Sequence, residues 1–330
     1  MIITKTPVRV SFLGGGTDYP DYFRQYGGQT IGCAIDKYSY ITVNRLAELF
    51  DYSIRVSYSQ HELTRSVGEI QHPSVRECLR YMGLDGGLEI HYVGDLPART
   101  GLGTSSSFTV GLLHALHAFK GELVSQERLA AEAVYVEQQM IGERVGVQDQ
   151  YTCACGGLVH LQFQRDGRVI VSPLPLGQAR LEELSRHLML FYTGIRRHAH
   201  EVLDEQLERT RQGTLRDDLS HLSELVDEGV RVLTGSGPIL QFGELLHQAW
   251  TTKRRLSSKV SNPQIDTWYE EALSAGAVGG KLLGAGGGGF LLLMAPPERQ
   301  PSVEAALGGL KRVHFQLDFT GSTILFYRPG

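Results

Sequence analysis

The chain has 330 residues, 42% of them apolar and 21% charged, with a formal charge of −4. That length supports a large buried core and points to two domains rather than one. The mild acidic balance argues against a nucleic-acid surface, which needs clustered Lys and Arg, although a small basic pocket fits inside an acidic whole.

The N-terminus, "MIITKTPVRVSFLGGG", has no signal-type apolar core ending in a small-residue cleavage site. No stretch approaches the roughly eighteen apolar residues of a membrane span. The expectation is a cytoplasmic protein with neither a membrane nor a nucleic acid as partner. The first third then alternates as a sheet does: "IITKTPVRVSFL", "SYITVNRL", "SIRVSY" and "LEIHYVGDL" are short β-branched or aromatic runs separated by Gly, Pro, Asp and Ser. After residue 107 the period lengthens. Phe108, Leu112, Ala115 and Phe119 share one helical face, and Leu129, Ala133, Val136 and Met140 share a second. "GLVHLQF" and "RVIVSPL" return to strand character, and a new unit begins near "HLMLFYTG", giving an expected division into residues 1–183 and 184–330. From His200 to about Val232 the chain is polar and helical, as an amphipathic surface pair would be. Helices continue through "GELLHQAWTTKRRLSSKV" and "IDTWYEEALSAG"; "GGFLLLMAP" reads as a buried strand, and "SVEAALGGL" with "TILFYRP" closes as helix and strand. The cysteines, Cys33, Cys78, Cys153 and Cys155, show neither a disulfide framework's density nor the spacing of structural zinc, and read as free thiols.

Three glycine-bearing loops carry the chemistry. "LPARTGLGTSSSFTVGLLHAL" lies between a strand and a helix starting at about Ser105. First-turn amides have no partner within a helix, and with the positive end of the dipole they form an anion site that glycines let a phosphate approach. Thr104, Ser105, Ser106 and Ser107 add hydroxyls able to bond phosphate oxygens or ligate Mg²⁺. The plain alternative is an ordinary Ser/Thr N-cap after a tight turn. "KLLGAGGGGFLLLMAP" contains Gly284, Gly286 and Gly289 at G-x-G-x-x-G spacing. A dinucleotide fingerprint should follow a strand and open a helix, whereas these glycines follow helix-like "EEALSAGAVGG" and enter a strand. Lys281 precedes Leu282 and no Walker pattern occurs. "PVRVSFLGGGTDYP" ends a strand in glycines and delivers Asp18 into a loop, which by itself is equally a β-turn with an Asx cap.

Loops of this kind in this order resemble the motifs of the GHMP kinases, and the resemblance runs from end to end. Within that superfamily "FLGGGTDYP", "GVQDQYTCACGG" and "TTKRRLSSKVSNPQID" look like the segments of kinases acting on D-glycero-D-manno-heptose 7-phosphate. The resemblance implies an α+β fold of two domains, one like domain two of ribosomal protein S5 and one ferredoxin-like. It implies ATP and Mg²⁺ as cofactors, and is compatible with a homodimer. ATP phosphates would lie on Gly101, Leu102, Gly103, Thr104, Ser105, Ser106, Ser107, Gly286 and Gly287.

Phosphoryl transfer asks the protein for positioning and charge neutralisation. Asp149 matches the aspartate that similar sugar kinases place beside the acceptor hydroxyl, and is the expected base; a loop-capping Asp is the alternative. Glu137, twelve residues upstream, matches the Mg²⁺ carboxylate, with Ser105 as the hydroxyl ligand. Without the resemblance it is a solvated helix residue, like Glu127 and Glu132. Arg9 matches a basic residue near the transferred phosphoryl; otherwise it is a surface strand arginine. Asp18 would bind sugar hydroxyls. Gly15 and Gly16 stand where galactokinases have Glu-His, which removes a hydroxyl-binding carboxylate and opens space for a bulkier acceptor. A phosphorylated acceptor needs a second anion site. "GIRRHAHE" and "TTKRRLSSK" offer Arg196 and Lys253, or merely solvated charge, and His198 with His200 lacks the further ligands a metal requires. The expected activity is C1 phosphorylation of heptose 7-phosphate. The alternatives are a C1 kinase of a free sugar, fucose or a galactose-like hexose, and a catalytically silent regulator.

Overall fold

The computed structural model describes residues 1–98, 100–195 and 199–328, side chains at 199–201 excepted. In chain order the elements are β1 (Ile2–Leu13), α1 (Pro20–Tyr26), β2 (Gly28–Arg45), β3 (Ile54–Ser57), β4 (His61–Thr64), α2 (Pro73–Met82), β5 (Leu88–Gly94), α3 (Thr104–Lys120) and α4 (Gln126–Tyr135). A π-helical turn (Val136–Ile141) leads to α5 (Gln148–Cys155), β6 (Leu158–Phe163), β7 (Val169–Pro173), α6 (Gln178–His187) and β8 (Leu188–Tyr192). The chain continues through α7 (Ala199–Arg211), α8 (Arg216–Thr234), α9 (Leu240–Lys253), α10 (Pro263–Ser274), β9 (Gly279–Leu282), β10 (Phe290–Met294), α11 (Gln300–Ala306), β11 (Lys311–Arg312) and β12 (Thr323–Tyr327).

These strands form an eight-stranded sheet and a four-stranded sheet ordered β11-β8-β10-β9. Counted within the second unit, that order is 4-1-3-2 with antiparallel neighbours, the ferredoxin-like arrangement. The burial of β1 explains its sequence: its first residues alternate between buried and half-buried, then every residue from Thr6 to Leu13 is buried. There α3 covers one face while α8 and α9 cover the other, so alternation gives way to a continuous run. One apolar cluster joins the two sheets, with Val8, Phe12 and Leu13 packed among residues that include Leu222, Phe242, Leu246 and Leu292. The C-terminal end of β1 and the loops after β5 and β9 are thereby held in one seam, through Leu13, Leu102 and Leu283.

Two expectations need correction. "TILFYRP" does not close the second unit; β12 pairs antiparallel with β1 at the edge of the first sheet, Ile2 opposite Tyr327. An uncovered β1 would present unpaired backbone groups, and the returning chain end satisfies them. Closeness in sequence to α11 says nothing of that pairing. "GKL" is also a strand: β9 stands between α10 and the third glycine loop, which is therefore the connector of a β9–β10 hairpin. The dinucleotide reading still fails, because a strand rather than a helix follows.

α4 ends sooner than its period suggests and passes into the π turn. Glu132, without an evident role in the sequence, is buried and accepts hydrogen bonds from His117 Nε2 (2.6 Å) and Arg128 (2.8 Å), while Glu122 meets His117 Nδ1 at 2.8 Å. The hydrogen bond to Glu132 raises the His117 pKa above 6.5 despite burial. The folded protein therefore holds this proton more tightly than the unfolded chain. That stabilisation is complete below about pH 6.5 and fades as pH rises through the raised value. Thermal unfolding followed from pH 6 to 9 should show a decline in Tm that His117→Asn flattens; parallel curves for the two proteins would refute the assignment.

Candidate active site

Gly103 is the N-cap residue of α3, in the left-handed region at φ 70°, and no side chain caps the helix. The plain N-cap reading thus does not hold: the first-turn amides are left uncapped at the positive end of a 17-residue helix. Of the hydroxyls that follow, Ser107 donates to the Thr6 carbonyl (3.0 Å) and ties α3 to β1, Ser105 is exposed, and Thr104 is buried.

Arg9 reaches this mouth from β1. Its Nε and Nη2 donate to the two oxygens of Asp149, each at 2.7 Å, and its Nη1 donates to the Gly101 carbonyl at 2.8 Å. The guanidinium side chain is 4% exposed and the carboxylate 25%, so the pair opens toward the cleft through Asp149. A Cβ placed on Gly103 would lie 3.1 Å from Arg9 Cγ and 3.3 Å from Asp149 Oδ2. The carboxylate therefore stands against the helix entrance, carried by the first turn of α5. The surface-arginine and loop-capping readings both fall.

Asp18 is buried beside them. Its Oδ1 accepts from the Gly16 amide and its Oδ2 from Gln148 Nε2, both at 3.0 Å, and Ser11 Oγ donates to Gln148 Oε1 at 2.7 Å. Burial, with the charge of Asp149, pushes its carboxyl upward. Two hydrogen bonds leave a carboxylate with further acceptor capacity. Gly15 has room beside it, with the nearest atoms 3.5 Å or more from an added Cβ, whereas Gly16 is walled by Leu219 at 3.0 Å. Space expected from both glycines exists at Gly15 alone.

Glu137 is buried in the π turn, where Ser106 Oγ (3.0 Å) and Gln150 Nε2 (2.5 Å) donate to its Oε2. Burial raises its pKa to about 7. Ser106 hydrogen-bonds to Glu137, while Ser105, the expected hydroxyl ligand, is exposed one position earlier, because successive residues of a helix face directions about 100° apart. Glu137 Oε1 and Gln150 Oε1 have no hydrogen-bond partner. Orphaned acceptors beside a hydroxyl suit a hard cation, so the residues present fit Mg²⁺. Among the described residues no cluster of three or more His, Cys, Asp or Glu offers a complete cage. A magnesium ion shared with nucleotide phosphates needs none.

The third loop packs on the second. A Cβ on Gly284, at φ +73°, would lie 2.5 Å from Gly101 Cα, and Gly286 and Gly287 rest against the Val260 backbone. Lys253, from the end of α9, donates its ammonium to the Gly284 carbonyl. It feels Arg9, Asp18 and Asp149, and burial lowers its pKa to about 8. Arg196 lies outside the described residues, as does His198.

Sequence reasoning missed Gln148, Gln150 and Lys281. The last is buried in β9, with its ammonium 2.8 Å from the Phe12 carbonyl. A lysine inside the apolar hairpin "KLLGAGGGGFLLLM" was the available signal. Glu137 had one too, since it falls four residues after Ala133 on the buried stripe.

The chain matches the model of the GHMP kinases N-terminal domain over residues 70–157 and that of the GHMP kinases C-terminal domain over 230–310. It is 27% identical over 319 residues to the D-glycero-alpha-D-manno-heptose 7-phosphate kinase of Campylobacter jejuni, covering 93% of both chains. It is also 27% identical over 317 residues to the galactokinase of Pyrococcus furiosus, covering 86% of both. A crystal structure described as a D-glycero-D-manno-heptose 1-phosphate kinase from Bacteroides thetaiotaomicron superposes with a TM-score of 0.80 at 23% identity, over 99% of this chain and all of that one, and shows the same fold. With both domain models matched in order and the uncapped helix facing a carboxylate–guanidinium pair, the chain belongs to the GHMP kinases, a family of phosphotransferases that use ATP.

Proposed function

We propose that this enzyme transfers the γ-phosphoryl group of ATP to the anomeric hydroxyl of a sugar phosphate, D-glycero-D-manno-heptose 7-phosphate, supplying the synthesis of nucleotide-activated heptose. The observation that carries the transfer is Asp149 held by Arg9 against the open end of α3. In this reading the polyphosphate rests on the α3 amides and the glycines of loops two and three. Asp149 takes the proton of the acceptor hydroxyl as its oxygen attacks phosphorus, Arg9 stabilises charge on the transferring group, and Asp18 orients the sugar through its hydroxyls. Glu137, with the hydroxyls of Ser105 and Ser106, would hold Mg²⁺, which when bound neutralises phosphate charge.

The heptose acceptor is supported by the span of the likeness to the Campylobacter kinase and by the room beside Gly15. A second reading, C1 phosphorylation of a free sugar, is favoured by one observation. Lys253, expected to hold an acceptor phosphate, lies instead beside the third glycine loop and feels the Arg9–Asp149 pair. A coupled ADP-release assay offering heptose 7-phosphate, galactose and fucose in turn should give at least about 100-fold higher kcat/KM for the phosphorylated heptose, the scale on which a site built around a charged group rejects acceptors lacking it. Rapid turnover of a free hexose alone would establish the second reading.

A further inference from the structure

We propose that Lys253 is a catalytic residue whose ammonium contacts the phosphoryl group in flight, rather than holding a phosphate already present on the acceptor. This inference rests on the reading of Asp149 and Arg9 as the transfer centre. It extends that reading to a cation contributed by the second unit.

Lys253 is the last residue of α9 and is 7% exposed. One of its three donors is used, on the carbonyl of Gly284. Gly284 packs directly on Gly101, and the Gly101 carbonyl accepts from Arg9 Nη1 at 2.8 Å. The contacts therefore run without a break from Lys253 through the faces of loops three and two to Arg9 and Asp149. Lys253 forms no ion pair among the described residues: Asp149 is bound at both oxygens by Arg9, and Asp18 is held by Gly16 and Gln148. A desolvated ammonium with spare donors is costly unless an anion meets it. Lys281 is held on the Phe12 carbonyl of β1 at 2.8 Å and supplies no anion to Lys253.

The position also separates the two phosphates of the proposed reaction. A phosphate at the far end of a seven-carbon sugar cannot lie beside the same groups that activate its first carbon. A cation bonded to Gly284, which packs on the Gly101 that Arg9 also binds, is at the reacting end. During transfer the acceptor oxygen bonds phosphorus while the bond to the β–γ bridging oxygen breaks. ADP leaves with that electron pair, the hydroxyl proton passes to Asp149, and Lys253 donates to an equatorial oxygen of the group between them.

The test compares Lys253→Met and Lys253→Gln with the parent enzyme. Gln keeps a donor for the Gly284 carbonyl but no charge, so it separates tethering of the loop from charge stabilisation. Each protein is assayed for transfer to the best sugar acceptor, for transfer to water from radiolabelled ATP without any sugar, and for Tm. Both variants should lose about 100-fold or more in kcat with acceptor KM changed only a few-fold, the scale of removing one donor from a developing oxyanion. Transfer to water should fall by the same factor, and this arm does not depend on which sugar is the substrate. Failure of every sugar in the parent would count against the proposed acceptor, while the water reaction would still judge Lys253. The proposal is overturned if acceptor KM rises sharply at unchanged kcat, which would make Lys253 a ligand of the acceptor's phosphate. It is equally overturned if Gln restores turnover, which would make Lys253 a loop tether.

Discussion

Asp149→Asn is expected to lower kcat by about three orders of magnitude or more, near the upper range for losing a positioned base, while nucleotide affinity changes only a few-fold. An amide cannot take up the acceptor proton, and it offers Arg9 one oxygen where the carboxylate offers two. The α3 amides are untouched, which is why nucleotide binding should persist. Arg9, buried and deprived of its counter-charge, should also destabilise the fold by up to about 3 kcal/mol, below the full cost of breaking a buried pair because Asp149 is partly exposed. Arg9→Met combined with Asp149→Asn should recover part of that stability without recovering turnover. ADP release, calorimetry with nucleotide and thermal unfolding measure the three effects. Near-normal turnover of the single variant would remove Asp149 from the base role.

Gly284→Ala should damage stability and nucleotide binding together. Its Cβ would sit 2.5 Å from Gly101 Cα, on backbone that cannot swing aside, and at φ +73° an L side chain is strained as well. Strain and overpacking together cost about 2–5 kcal/mol, lowering Tm by several degrees, and the displaced second loop should raise the KM for ATP about tenfold or more if the loop shift costs even 1.4 kcal/mol of binding. Gly121→Ala is the control. It has φ +74° with nothing within 4 Å of the added atom, so it reports the backbone strain alone. If the two variants prove equally mild, the two glycine loops do not depend on their close approach.

The sheet and helices of the first unit were legible because their faces differ in burial: α4 shows its apolar stripe, and β1 and β2 alternate wherever one side meets solvent. The reversal at β12 was not legible, since strand pairing over more than three hundred residues of separation leaves no local trace. The same limit applies to Ser106. Its hydroxyl was one of a run, and only the packing of the π turn against α3 assigned it to Glu137.

The sequence by itself determined the chemistry available: glycines and hydroxyls at a helix entrance, an aspartate after a glycine-bearing loop, an arginine on the first strand, and the family these belong to. The tertiary structure decided which of them meet. It joined Arg9 to Asp149, set Ser106 against Glu137, left more room at Gly15 than at Gly16, and brought Lys253 and Lys281 into the seam. Residue type and local period record what a side chain can donate, accept or bury. The direction in which it points across a domain seam is set by packing among segments far apart in the chain, and no local pattern encodes that.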